Sequence, residues 1–225
     1  MKKYCVALFF VICCQAVSFA QNNSVSSEDR QAYVKVITQR AVKIVANMGI
    51  ADTVKAAKVT AIVRDQYDNL NDIYDERNAN IKEIKAKNAG DKAVIENALK
   101  EENLDVEKKL NKLHKKYLAK LSKQLTAEQI EQVKNGMTYN VMPNTYQAYQ
   151  DELLNLTEAQ KKQIYSWLVE AREHAIDAES SDKKHAWFGK YKGKINNFLS
   201  AEGYDLKKEG IEWEKRRKAI ANKNK

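Results

Sequence analysis

Apolar residues recur at helical spacing along almost the whole chain. Between residues 28 and 48, Tyr33, Val36, Ile37, Ile44 and Val45 return every three or four positions, which lines one face of an α-helix. Gly49 is placed to close that helix, and Asp52 to cap the next. From there Val59, Ile62, Val63, Leu70, Ile73, Tyr74, Ile81 and Ile84 keep one stripe to about residue 87. Asn88-Ala89-Gly90 reads as a turn and Asp91 as a cap. Ile95, Leu99, Val106, Leu110, Leu113, Tyr117 and Leu121 then carry a third helix to residue 123. Two long stripes joined by so short a turn predict an antiparallel hairpin. Its arms would be roughly 50 Å long at about 1.5 Å per residue.

Beyond residue 123 the elements shorten. Leu125-Thr126-Ala127-Glu128-Gln129 and Leu156-Thr157-Glu158-Ala159-Gln160 repeat one capping-box pattern, in which Thr accepts from the N–H three residues on and Gln reaches back. Residues 136–144 are expected to break the helix between them. Later helices are predicted at about 158–179, 183–199 and 205–221. The expected fold is all-α, a long antiparallel helical hairpin plus a bundle of shorter C-terminal helices. It is read as a single all-helical domain over 21–225, with a long-helix part at 21–124 and a shorter-helix part at 125–225. One proline and seven glycines in 225 residues agree with that.

The N-terminus changes the compartment. Met1-Lys2-Lys3 is positive, Cys5 to Val17 is apolar and uncharged, and Ser18-Phe19-Ala20 offers small residues before a cut at Ala20-Gln21. Residues 1–20 therefore read as a cleaved signal peptide, too short for the roughly 20 apolar residues of a spanning helix. The protein is expected in the periplasm or outside the cell, with no transmembrane segment. All three cysteines lie in that segment, so the mature chain would have neither disulfide nor thiol chemistry.

Charge is unevenly spread. Residues 21–181 balance at 24 basic and 24 acidic side chains, whereas residues 182–225 carry 13 basic against 6 acidic. In an exported protein such an excess suits an anionic glycan or the envelope rather than nucleic acid. It also suits a solvated basic helix. Asp65, Asp68, Asp72 and Asp75 form an acidic line on the second helix, and Lys108, Lys109 and Lys112 of the third are its expected ion-pair partners. No EF-hand spacing supports a metal there.

Catalytic signatures are missing: no G-x-S-x-G, P-loop, H-E-x-x-H or dinucleotide fingerprint occurs. No catalytic residue, metal ligand or cofactor is assigned. Glu170, His174 and Asp177 share a helical face at i, i+4 and i+7, an arrangement for acid–base or metal chemistry, or for a boundary histidine beside an acid. The aromatics offer binding instead. Tyr139, Asn140, Tyr146 and Tyr149 surround the expected break, and irregular segments on rigid helices are where binding residues gather. The bland alternative puts Tyr146, Tyr149 and Leu153 on one buried face and leaves Tyr139 as the wet ring. Trp187, Tyr191, Ile195 and Phe198 form a second stripe. Gly189 and Gly193 are read as letting another helix approach closely, with Lys190, Lys194 and Asn197 facing an acidic ligand.

Three stretches carry a resemblance: Thr38-Gln39-Arg40-Ala41-Val42-Lys43-Ile44-Val45, Val63-Arg64-Asp65-Gln66-Tyr67-Asp68-Asn69-Leu70, and Lys190-Tyr191-Lys192-Gly193-Lys194-Ile195-Asn196-Asn197-Phe198-Leu199. The chain resembles a secreted all-helical family of unknown function from polysaccharide-using bacteria, described as candidate sugar-binding proteins. That resemblance implies a carbohydrate ligand and no residue-level mechanism. The two Leu-Thr-x-x-Gln segments also resemble small periplasmic chaperone and envelope-stress proteins, which implies a cradle for unfolded clients. An uncharacterised enzyme is the third reading.

Overall fold

The computed structural model describes residues 27–223, and the run read as a signal peptide lies outside them. Eight helices and no strand occur among the described residues: α1 (Ser27–Ala46), α2 (Thr53–Lys87), α3 (Lys92–Ser122), α4 (Ala127–Met137), α5 (Val141–Glu152), α6 (Glu158–Ile176), α7 (Ser181–Ala201) and α8 (Leu206–Lys223). The fold is all-α. Asp52 caps α2 by accepting from the N–H groups of Val54 and Lys55, and Asp91 caps α3 through Val94. Both capping boxes form, Thr126 with Gln129 and Thr157 with Gln160. Each such cap stabilises its helix by about 1 kcal/mol.

Two apolar cores hold the molecule. One joins α1, the base of the hairpin and α4 through Ala41, Val59, Val63, Leu121 and Val133, with Ile176 from the end of α6. The other joins α5, α6 and α7 through Leu153, Ile164, Leu168, Phe188, Ile195 and Leu199. The hairpin is buried only near its base; between residues 71 and 105 no side chain is fully buried, so its outer half is a bare two-helix arm.

Three local expectations are corrected. The helix breaks only over residues 138–140, not over 136–144, because Val141 starts α5 at once and Pro143 sits in its first turn. Proline is tolerated there, where its missing N–H has no partner to lose. Two members of the acidic line pair across helices, but with α1: Arg30 reaches Asp68 at 2.8 Å and Asp72 at 3.8 Å, while Asp65 pairs with Arg64 of its own helix. Lys109 pairs instead with Glu76 at 3.0 Å. Gly189 and Gly193 lie on the outer face of α7, where an added Cβ would meet nothing within 4 Å. The close approach is at Gly136, whose added Cβ would stand 3.0 Å from the Ile44 side chain, so α4 lies tight on α1.

Candidate functional site

The break between α4 and α5 is the point of backbone strain. Tyr139 (φ 58°) and Asn140 (φ 55°) are consecutive left-handed residues, and neither is glycine. Such a conformation costs an ordinary residue about 1–2 kcal/mol, asparagine less. Hydrogen bonds hold the corner: the Asn135 carbonyl accepts from Asn140 N–H at 2.8 Å, and buried Thr138 bonds the Lys134 carbonyl through its hydroxyl, also at 2.8 Å. The result turns the Tyr139 ring outward, 48 % exposed, stacked on His185 at the start of α7 with centroids 5.4 Å apart.

Three hollows share that ring. The largest of them, about 560 Å³, lies between α1 and α4 and takes Arg40, Lys43, Asn47, Tyr67 and Asn135 into its wall. A smaller one of about 170 Å³ continues it past Arg40, Tyr67 and Tyr139 toward Tyr33, Tyr74 and Lys184. The third, about 500 Å³, opens between α5, α7 and α8 and holds Tyr149, Glu152, Lys192, Asn196 and Trp213. Tyr33 donates to the Tyr67 carbonyl at 3.1 Å, fixing the floor of the groove. Burial, and then the neighbouring Tyr139 hydroxyl, push the Tyr67 phenol well up, so it stays a neutral donor.

Lys184 closes one end. It is buried, and its ammonium donates to the carbonyls of Ala175 (2.9 Å) and Ile176 (2.7 Å) at the C-terminus of α6. Burial brings its pKa down to about 8, opposed by Asp177 and assisted by Arg40. Asp177 is itself a hub, accepting from Gln66 at 3.2 Å, facing His114 Nδ1 at 2.6 Å and offering its main-chain carbonyl to Tyr74 at 2.8 Å.

The residues singled out in the sequence separate into groups. Tyr139 and Asn140 form the corner. Tyr149 is buried and donates to Asn196 Oδ1 at 2.7 Å, while half-buried Tyr146 packs edge-on to Tyr165. Trp187 stacks on His174 at 4.3 Å, with Lys190 above its ring; Lys194 lies over Trp167 at 4.6 Å, and Asn197 is exposed on α7. Glu170, His174 and Asp177 turn to different partners: Glu170 stands near enough to the Tyr191 hydroxyl to raise its pKa, His174 stacks on Trp187, and Asp177 serves His114. Among the described residues, no group of three or more His, Cys, Asp or Glu is placed to hold a metal ion. Arg40, Lys43, Asn47 and Tyr67 escaped sequence reasoning. Their signal was available, since Arg40, Lys43 and Asn47 recur at i, i+3 and i+7, a polar line beside the apolar stripe of α1.

A family model described as Protein of unknown function (DUF3826) matches residues 34–219. The chain belongs to that family. No curated protein matches it. The DUF3826 match takes in Arg40, the Tyr139 corner and Lys184, so all of the groove but Tyr33 lies within the family's span. No helix among the described residues of this DUF3826 protein is long and apolar enough to cross a membrane.

Proposed function

We propose that the groove around Tyr139 binds an oligosaccharide without cleaving it, in a protein exported to the periplasm or beyond. The observation that carries this reading is the left-handed corner, which holds an exposed tyrosine ring where three hollows meet. Strain kept at a non-glycine position marks a functional constraint more often than a packing need. An aromatic face stacks on the C–H face of a pyranose, and amides and cations around it fix the hydroxyls; Asn47, Asn140 and Lys43 supply these. Two large hollows sharing one ring suit a chain of sugar units better than a monosaccharide.

Calorimetry against a panel of neutral and acidic oligosaccharides tests the reading. Single sites of this kind bind at millimolar to micromolar levels, about −4 to −8 kcal/mol. Tyr139→Ala should abolish binding while the far-UV circular dichroism stays that of the wild type. Silence across the panel, together with strong suppression of aggregation of an unfolded client, would refute it in favour of a chaperone-like role.

A further inference from the structure

We propose that Arg40, with Lys43 beside it, is the anion-recognising element of the Tyr139 groove, and that the sugar unit lodged there carries an oxyanion, a uronate carboxylate or a sulfate ester. The inference rests on the oligosaccharide reading above and narrows it to a ligand class and to residues on α1.

Charge bookkeeping around the site leads to it. The wall of the 560 Å³ hollow includes two cations and no acid. The other arginines of the described residues all have a partner: Arg30, Arg64, Arg77 and Arg172 pair with carboxylates, Arg216 donates to the carbonyls of Asp151 and Glu152, and Arg217 lies over the Trp213 ring. Arg40 and Lys43 have no carboxylate within 4.0 Å among the described residues, although both are exposed and stand on one face of α1. The acids of the adjoining small hollow are already engaged, Glu179 by Arg77 at 2.7 Å and Asp75 by Asn71 at 2.7 Å.

The lysines that charge distribution first pointed to are in a different state. Lys190 lies 5.0 Å from the centre of the Trp187 ring, and Lys194 lies 4.6 Å from that of Trp167 and 5.5 Å from that of Tyr191. Ring faces already stabilise both cations, and neither lines a hollow that contains Tyr139. Arg40, by contrast, is shared by two hollows together with Tyr67 and Tyr139. A guanidinium fork matches the paired oxygens of a carboxylate or sulfate. Asn135 adds a donor to the same wall, because its Oδ1 accepts from Arg172 at 2.7 Å and leaves its amide N–H groups for the ligand. An acidic unit would therefore sit against α1, with the rest of the chain running across Tyr139.

The full chain is titrated calorimetrically at pH 7 with trigalacturonate, its methyl ester, and a sulfated trisaccharide. Wild type, Arg40→Gln and the double variant Lys190→Gln/Lys194→Gln are compared. The expected result is that Arg40→Gln weakens the acidic ligand at least tenfold, ~1.4 kcal/mol, and leaves the methyl ester unchanged, while the double variant binds as wild type. Whichever of the uronate and sulfate ligands binds tighter to wild type identifies the oxyanion. Because Arg40 is exposed and unpaired, the variant should melt with the wild type, and Arg40→Lys should restore part of the loss. Equal binding of acid and ester to wild type, or a loss confined to the double variant, would overturn the assignment. If neutral sugars bind in a Tyr139-dependent way with no preference for acid, only the Arg40 assignment falls. If no oligosaccharide binds at all, the reading of the groove falls with it.

Discussion

Replacing Tyr139 separates the backbone's interest from the ring's. At φ 58° the residue sits where an L side chain is strained by about 1–2 kcal/mol, and glycine is not. Glycine adds back about 0.5–1 kcal/mol through the freedom of the unfolded chain. For the backbone alone, Tyr139→Gly should therefore outrank Tyr139→Ala by roughly 0.5–1 kcal/mol. Both lose the stack on His185, 5.4 Å between centroids and half exposed, an interaction of about 0.5–1.5 kcal/mol. Wild type and the glycine variant should then agree to within about 1 kcal/mol, with alanine the least stable of the three. Urea denaturation followed by circular dichroism reads this as a midpoint order, provided the slope stays constant. The control is Ala79→Gly on the exposed face of α2, where the usual helix penalty of about 1 kcal/mol should appear. An alanine variant as stable as the glycine variant would refute the strain argument. A glycine variant that still binds the oligosaccharide would refute the part given to the Tyr139 ring instead, since glycine keeps the corner and deletes the ring.

Three further outcomes follow from the same geometry. Stability should pass through a shallow minimum near pH 8. The Asp177 hydrogen bond raises His114 above its usual 6.5, so its contribution is full below that pH and is lost as pH rises through the folded value. Burial lowers Lys184 to about 8, so stability recovers above there until pH nears 10.0, where buried phenols such as Tyr67, Tyr74 and Tyr117, all raised in the folded chain, take it down again. Urea midpoints from pH 6 to about 9.5 read both limbs, and His114→Gln should remove the falling one. Leu121→Ala, at a fully buried site, should lower the unfolding free energy by about 2–5 kcal/mol, and half-buried Leu110→Ala distinctly less in the same titration. Asp68→Asn, which loosens a partly exposed pair with Arg30, should change it by less than about 1 kcal/mol; a larger loss would show that the acidic line is structural.

Helix positions were legible because their signals are local. An apolar stripe, an Asp or Thr cap and a Gly close each element within a few residues, and those of α2, α3, α4 and α6 lie where the pattern puts them. What could not be read is rotation and neighbourhood. Asp68 and Asp72 of α2 pair with α1 rather than α3 because α2 lies against both helices, and periodicity does not say which partner takes which side chain. Likewise the tight approach falls at Gly136 rather than at Gly189 and Gly193; all are glycines within a helix, and only tertiary contact distinguishes them. The corner at Tyr139 was visible as a polar-aromatic interruption, but its left-handed backbone was not, because no glycine announces it. Its partners from α1 are about a hundred residues away in sequence and meet it only through the fold.

The polar interior explains how so strained a corner keeps its shape. Buried Arg172 of α6 bonds Glu131 and Glu173 and donates to Asn135, whose carbonyl accepts from Asn140 N–H. Four residues past α6, Ser180 caps α7 by accepting from Lys183 N–H, and Lys184 reaches back to the last carbonyls of α6. His185, the next residue, is thereby set against the Tyr139 ring. One wall of the groove is thus tied to α6 through Arg172 and another through Lys184, although α6 itself contributes nothing to the 560 Å³ hollow. Buried ion pairs of this kind add little net stability compared with well-packed apolar side chains, because desolvation offsets their attraction. Their return here is positional. A binding site needs its side chains held to about half an ångström by a supporting shell, and hydrogen bonds between named atoms specify a position more sharply than apolar contact does. On the proposed reading, the corner and its ring are therefore in place before a ligand arrives, and the ordering left to binding is that of the exposed Arg40 and Lys43 side chains.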